Sequence, residues 1–482
     1  MPKWLEGVYA ASPLWIQKLG INAFGWYWGR RRLGAVFEQT WRAYAEREKW
    51  PPDRMQDFVE GQLRTLVQRA YRDVPFYREA FRAHDVTEEL LESFSLADLS
   101  KLPLLDKSLV RANSKALLTE QAARRPPAVF STSGSTGTPI QVYWDSATHQ
   151  HNIGVREARS FRWAGTSIRE PRSVIGGRLV VPKAHSDPPF WRYNLWEKQL
   201  YLSAYHISPK NLPDYVAALN RYRPITMLGY ASSNFLLARL IKELGMEVHS
   251  PRAIIAESER LLPHMRTTMA TTFQTRVFEE YGSVENCALA TECEHGRLHS
   301  HIDFGYVEIL RSDGKSAAPG EVGELVLTGF ANRNQVFIRY RIGDLGAWSV
   351  ESCPCGRNTL PTLTEIVGRM EDVVITKDGR EIWAFFRVFY GLKGVAEGQI
   401  IQEGLDRFLV NIVANPAYCA EDSEAIKARI MQRVGSDIDV QVRLVDSIPR
   451  EPNGKFRVVI SKLRRTVPGG AFAPTTGGDT NG

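Results

Sequence analysis

From residue 127 to about 310, short apolar runs alternate with amphipathic segments of helical period. That alternation confines this stretch to the α/β class with a largely parallel sheet. Residues 172–175, 179–181, 225–228 and 252–256 read as strands. Residues 234–244 have the spacing of an amphipathic helix that ends at Gly245, a C-cap signal. Around 307–310 and 323–328 the pattern becomes strand, turn, strand, with Asp313-Gly314 at the turn, which predicts a β-rich subdomain. Residues 1 to about 110 read as a helical lead-in. Within it Phe58, Leu63, Leu66, Val67 and Ala70 recur at helical spacing until Asp73-Val74-Pro75 ends the helix. Beyond about residue 370, strand 407–413, helix 421–434 and strand 440–445 predict a separate small α+β domain. The residues from 467 to 482 are rich in Gly, Pro and Thr and are expected to be a disordered tail. No internal repeat is present.

A chain of 482 residues with this pattern suits two or three domains. Hydrophobic residues at 43% and charged residues at 24% exclude bulk disorder and low-complexity classes. Five cysteines are too few for a disulfide scaffold; their uneven placement points to a metal site or to buried thiols in a reducing compartment. The net charge of +7 is spread among interspersed signs, which fits a phosphate-bearing small molecule and does not call for nucleic acid. No apolar run reaches the length of a membrane span and no signal peptide is recognisable, so a cytoplasmic location is expected. Near the start, Trp15, Ile16, Leu19, Ile21, Phe24, Trp26, Tyr27 and Trp28 precede Arg30, Arg31 and Arg32. Such a segment is either a helix packed on the main domain or a docking patch for a membrane surface or a protein.

The densest local signal is the run Phe130-Ser131-Thr132-Ser133-Gly134-Ser135-Thr136-Gly137-Thr138-Pro139, in which eight of ten residues are Ser, Thr or Gly. Glycines let backbone N–H groups converge on an anion and hydroxyls add donors, so the loop suits the phosphates of a nucleotide. It lacks the Gly-Lys-Ser/Thr of a Walker A loop and the G-x-G-x-x-G of a dinucleotide fold. A second signal is Cys353-Pro354-Cys355, a tight pair on a turn that can take two corners of a tetrahedral zinc site. Cys293 with His299 or His295 is available for the others. Unmetallated thiols and a redox dithiol are the competing readings, and Cys287 and Cys419 are spare thiols.

The order of residues in the Ser/Gly loop resembles the signature loop of the adenylate-forming superfamily, which includes acyl-CoA synthetases, adenylation domains and luciferases. Five further stretches strengthen the resemblance. Ser258-Glu259-Arg260-Leu261 resembles the acidic turn whose backbone lines the adenine. Tyr281-Gly282-Ser283-Val284-Glu285 resembles the Tyr-Gly-x-x-Glu motif, in which the ring lies against adenine and the Glu helps hold Mg²⁺. Arg339-Tyr340-Arg341-Ile342-Gly343-Asp344 resembles the motif whose Asp accepts the ribose hydroxyls. Gly368-Arg369-Met370-Glu371-Asp372 resembles the motif whose Arg contacts ribose or phosphate and whose next-but-one residue, here Glu371, is the hinge. Pro452-Asn453-Gly454-Lys455 resembles the motif whose Lys reaches the carboxylate and the α-phosphate. Asp73-Val74-Pro75-Phe76-Tyr77-Arg78 and Leu99-Ser100-Lys101-Leu102-Pro103 are similar to the phenylacetate–CoA ligase branch and its CapK-like relatives. Val284, Ile342 and Glu371 depart from that pattern, where Thr, Thr and Asp are usual.

The resemblance implies a large N-terminal ATP- and acid-binding domain (1–370) with mixed sheets and a small mobile C-terminal lid (371–466). The implied activity is ATP-dependent formation of an acyl-AMP with release of pyrophosphate, then transfer to coenzyme A. An amine acceptor, or the adenylate as end product, is the alternative, and a non-catalytic scaffold is the reading from another class. Lys455 and Glu285 are the implied catalytic residues, with the loop Ser131–Thr138 on the β- and γ-phosphates. The branch favours Cys293, His299, Cys353 and Cys355 as ligands of a structural Zn²⁺. Tyr230, Ala231 and Ser232, with Trp191, Tyr193, Tyr205 and His206 as further candidates, suggest a pocket for an aryl or compact hydrophobic acid. Oligomeric state is not legible.

Overall fold

In the computed structural model, residues 3–132, 139–182, 187–369, 373–382, 385–451 and 453–463 are described. Ser133, Gly134, Ser135, Thr136, Gly137, Glu371 and the tail 467–482 lie outside them. The chain falls into two compact units. The first comprises Met1–Gly368 with Pro449–Phe456, and the second comprises Arg369–Ile448 with Arg457–Gly482.

The first unit is built on one twelve-stranded mixed sheet. A separate hairpin, β1 (Ala128–Ser131) with β2 (Gln141–Trp144), precedes it. Strands β3 (Arg172–Gly176), β5 (Gln199–Ser203), β6 (Thr226–Tyr230), β7 (Ala253–Glu257) and β8 (Arg276–Gly282) run parallel, with β4 (Trp191–Asn194) antiparallel at the edge. The sheet continues through β9 (Leu289–Glu292), β10 (Leu298–Ser300) and β14 (Thr362–Arg369). It then passes to β13 (Tyr340–Trp348), β12 (Gly323–Gly329) and β11 (Gly305–Leu310). The α/β class and the β-rich continuation expected from the alternation are the architecture adopted. One expected strand is absent: residues 179–181 form a loop, although Val180 and Val181 are buried. Gly176-Gly177 ends β3, and the Val180 N–H turns back to the Arg178 carbonyl at 2.9 Å, which removes it from any ladder.

The helical lead-in packs on the β-rich end. Helix Pro52–Asp73 starts with Pro in its first turn, where the missing N–H costs nothing, and buries Met55, Val59, Leu63, Leu66, Val67 and Ala70 along one stripe. Leu63, Leu66, Phe81 and Phe94 share a core with Leu325, Leu327, Tyr340 and Ile342. Tyr77 braces the loop before β13, donating to the Val336 carbonyl at 3.1 Å and accepting from the Ile338 N–H at 3.0 Å. Arg339 grips Glu308 through two bonds of 2.9 and 3.1 Å and donates to the Leu102 carbonyl at 2.7 Å. The stretches 73–78 and 99–103 thus fix the strand that carries Asp344. Burial raises the Glu308 carboxyl even with Arg339 beside it. Arg339→Met is therefore expected to cost about 3–5 kcal/mol, read by chemical denaturation, because it strands a mostly buried carboxylate.

At the other end, helix Leu14–Arg32 lies against β4, with Asn194 donating to the Ile21 carbonyl and Asn22 bonding the Leu195 N–H. Ile21 is buried and Trp28 packs edge-on against Phe130 and His149, so this helix braces the β1–β2 hairpin. Trp15, Leu19, Trp26 and Tyr27 remain exposed. No described helix is long and apolar enough to cross a membrane.

The second unit holds the hairpin β15 (Val374–Ile375) with β16 (Glu381–Ile382) and a four-stranded sheet. In that sheet β17 (Val395–Gln402) and β18 (Arg407–Ala414) are flanked by β20 (Val459–Ser461) and β19 (Asp439–Leu444). Helix Ala420–Val434 buries Ile426, Ile430 and Val434, one residue per turn. Cys419 is exposed at its N-cap.

Candidate functional site

The carboxyl ends of parallel strands are where an open α/β sheet leaves room for ligands. Here the registers put Tyr230 opposite Glu257 and Glu257 opposite Glu280, so the ends of β6, β7 and β8 form one edge. Ser258 follows β7 with φ of +68°, an unusual conformation for a residue with a side chain. It turns Glu259 back toward the start of helix Ala231–Glu243. There Glu259 Oε2 accepts the Ser232 N–H at 2.9 Å, a carboxylate at a helix N-terminus. Its Oε1 accepts the Phe456 N–H at 2.6 Å. Glu259 therefore tethers the turn that carries Lys455. Burial raises the Glu259 carboxyl, while the backbone donors and Lys455 pull it down. The next residue, Arg260, pairs with Glu365 at 2.7 Å and so ties the acidic turn to β14.

The Lys455 turn is tight. Gly454 has φ of +85°, its N–H bonds the Glu451 carbonyl at 2.8 Å, and the Lys455 N–H bonds Asn453 Oδ1 at 2.9 Å. Lys455 Nζ lies 5.8 Å from the centre of the Tyr230 ring, and the Tyr230 hydroxyl donates to the Asn453 carbonyl at 3.3 Å. Burial raises the Tyr230 phenol, so it is a donor at neutral pH. Ala231 and Ser232 are both buried at the helix start beside it.

A second group of side chains meets at β8 and β13. The Tyr281 hydroxyl donates to Asp344 Oδ2 at 2.8 Å, and the Tyr340 hydroxyl donates to Glu285 Oε1 at 3.0 Å. Burial, reinforced by the Glu285 charge, keeps the Tyr340 phenol protonated. Glu285 and Asp344 are both buried, and Tyr340 engages only the Oε1 of Glu285. A Cβ on Gly282 would come within 3.3 Å of Leu289. Residues far apart in sequence are thus joined pairwise. Ser131 and Thr132 form the base of the Ser/Gly loop: Thr132 N–H bonds the Ile140 carbonyl, and Thr132 Oγ1 accepts the Ile140 N–H, each at 3.0 Å. Arg369 is the last residue of β14; its side chain is outside the described residues.

The four residues Cys293, His299, Cys353 and Cys355 converge, with all donor atoms within 4.8 Å of one another. Cys293 Sγ is 3.5 Å from Cys353 Sγ, and Cys355 Sγ is 3.4 Å from His299 Nε2. Tetrahedral donors around zinc stand about 3.3–3.8 Å apart, so the set fits that ion. His299 Nδ1 donates to the Leu360 carbonyl at 2.8 Å, which directs Nε2 toward the thiols. Of the two histidines, only His299 joins the cluster; His295 instead offers its backbone N–H to Cys293 Sγ at 3.4 Å. Cys287 is buried apart from the cluster, with Sγ against the Glu285 carbonyl.

Several aromatic candidates lie elsewhere. Tyr193 stacks on Tyr222 with centroids 4.0 Å apart, and Trp191 donates to Asp214 at 3.1 Å. His206 stacks on Phe190, whereas the Tyr205 hydroxyl donates to the Gly177 carbonyl beside the Lys455 turn. The sequence did not single out the hydrogen-bond pairings that assemble the site, such as Glu259 with the Phe456 N–H or Tyr340 with Glu285. A carboxylate directly after a strand end was the available signal for the first; the second had none.

Residues 374–462 match the family model of the CapK C-terminal domain. Over 473 residues the chain is 25% identical to protein CapK of Staphylococcus aureus, covering 95% of this chain and all of that one. It is 25% identical over 430 residues to the phenylacetate–coenzyme A ligase of Escherichia coli K12, covering 84% of this chain and 94% of that one. Its fold is similar to that of a 2-hydroxyisobutyryl-CoA ligase in the postadenylation state, with a TM-score of 0.68. That match has 19% identity and covers 86% of this chain and 91% of the ligase.

Proposed function

Because this chain belongs to the adenylate-forming superfamily, in the branch of CapK and the phenylacetate–CoA ligases, we propose that it is an AMP-forming acid–thiol ligase. In the first step a carboxylate oxygen attacks the α-phosphorus of ATP, the α–β P–O bond breaks, and pyrophosphate leaves. In the second the thiolate of coenzyme A attacks the acyl carbonyl and AMP leaves. The observation that carries this reading is the Lys455 turn, tethered through Glu259 and Tyr230 to the carboxyl edge of the parallel strands. Two anions must meet in the first step, so a cation between them lowers the barrier. Lys455 Nζ is that cation. Tyr281 holds Asp344 in orientation for the ribose hydroxyls, and Tyr340 holds Glu285 for a divalent ion. Mg²⁺ bound there would neutralise charge on the departing pyrophosphate. The Ser131–Thr138 loop donates to the outer phosphates, Ser258 and the backbone beside it line the adenine, and Arg369 contacts ribose or phosphate. Residues 449–456 are flanked on both sides by chain of the second unit. A turn about a hinge at Glu371 would therefore withdraw Lys455 after the first step.

Zn²⁺ held by Cys293, His299, Cys353 and Cys355 would be structural, since four protein ligands leave no open position. An amine acceptor is the alternative second step. AMP formation measured with the acid and either coenzyme A or an amine separates the two: dependence on coenzyme A supports the thioester reading, and dependence on an amine overturns it.

A further inference from the structure

A cavity of about 260 Å³ opens beneath Tyr230, at the carboxyl ends of β3 and β6. Gly176, Gly177 and Gly229 are among the residues that line it. A Cβ on Gly177 would fall 2.5 Å from the Tyr230 hydroxyl and 2.7 Å from the Asn453 carbonyl, so the cavity adjoins the Lys455 turn. Its volume suits a compact molecule, about a ring with one or two substituents. One wall is apolar, with Ile153, Phe161 and Leu228. The other carries guanidinium groups.

Two of these share one carboxylate, and a third reaches it only through a tyrosine hydroxyl. Glu197, buried, takes Arg32 Nη1 at 2.9 Å and Arg172 Nη2 at 3.6 Å. The Tyr201 hydroxyl donates to Glu197 at 3.2 Å and accepts Arg178 Nη1 at 3.1 Å. Arg178 lies over the rings of Phe24 and Tyr201, and no carboxylate is within ion-pair distance of it among the described residues. The remaining guanidinium, Arg156, is already committed to Glu257 at 2.6 Å and Glu280 at 2.8 Å. The Arg32–Arg172–Arg178 wall therefore carries three positive charges against one negative. Burial pushes the Arg172 guanidinium down to about 10 despite Glu197, and Arg32 pushes the same way; Arg32 is lowered by burial and by Arg178. Positive charge in partial burial is relieved by an incoming anion.

Resting on the adenylation reading above, we infer that the acid activated here carries a second anionic group at its far end, which enters this cavity and is received by the Arg178 guanidinium. The reacting carboxylate stays at Tyr230 and Lys455, while the body of the acid lies on the apolar wall. The substrate class is then a compact acid with a distal carboxylate, sulfate or phosphate, rather than a wholly apolar aryl acid.

The test is a matched pair of acids, phenylacetate and 4-carboxyphenylacetate, in two assays with the full chain. One is acid-dependent exchange of pyrophosphate into ATP; the other is calorimetric titration of each acid without ATP. The expected result is at least a tenfold preference in kcat/KM for the dianion, and a fall of that preference by at least tenfold in Arg178→Gln. Equal or better use of phenylacetate, with a ratio unmoved in Arg178→Gln, overturns the inference and leaves adenylation standing. Absence of exchange with both acids, but binding of the dianion that Arg178→Gln abolishes, upholds the cavity assignment and removes adenylation of these acids. Absence of binding and exchange with both overturns the inference. Arg178→Lys, which keeps the charge, is expected to retain part of the preference; a merely structural Arg178 would show no such rescue.

Discussion

Replacing Lys455 by alanine is expected to lower acid-dependent AMP formation by about 10²- to 10³-fold, the range for removing one group aimed at developing charge. Stability should change little. Lys455 is half-buried, and the turn that carries it is held by backbone bonds, by Asn453 and by the Glu259 carboxylate on the Phe456 N–H, all of which the alanine variant keeps. A melting temperature within about 2 °C of the parent would show this, as expected for a side chain outside the core. Lys455→Arg should recover only part of the rate. Its planar fork cannot occupy the same point beside the Tyr230 ring as a compact ammonium. Unchanged AMP formation in Lys455→Ala would remove this residue from the chemistry. A large loss of melting temperature would instead assign it a structural role.

The second large effect concerns the cysteine cluster. Cys353→Ser is expected to abolish the binding of one zinc ion per chain, measured by elemental analysis of the purified protein. It should also lower the melting temperature by about 10 °C, in keeping with loss of a structural metal. The site joins Cys293, just after β9, and His299, within β10, to the connection between β13 and β14, so its loss frees several strands at once. Cys419→Ser, at an exposed helix cap, should alter neither quantity. A parent protein that carries no metal, with Cys353→Ser melting at the parent temperature, would contradict the assignment.

The α/β class was legible because apolar period and turn chemistry are local properties. The helix expected over 234–244 forms as Ala231–Glu243, and the strand expected over 252–256 forms as Ala253–Glu257. The failure at 179–181 has the same origin in reverse: burial alone makes Val180 and Val181 look like a strand, whereas Gly176-Gly177 breaks the ladder. Tertiary pairing left weaker traces. The sequence left the segment ending in Arg30-Arg31-Arg32 as either a packed helix or a docking patch; Arg32 turns inward to Glu197, 165 residues away, and Arg31 donates to the Trp144 carbonyl at 2.8 Å. Arg30, stacked on Trp26, stays outside. Nothing in the spacing of Arg32, Arg172 and Arg178 announces that they line one cavity, because the sheet order, not the chain, makes them neighbours.

The most direct test of the central claim is exchange of labelled pyrophosphate into ATP by the parent chain with Mg²⁺, across a panel of carboxylic acids and in the absence of coenzyme A. Acid-dependent exchange without coenzyme A is the predicted result, since it requires a reversible acyl-adenylate. A folded chain that binds ATP but shows no exchange with any acid would contradict the account.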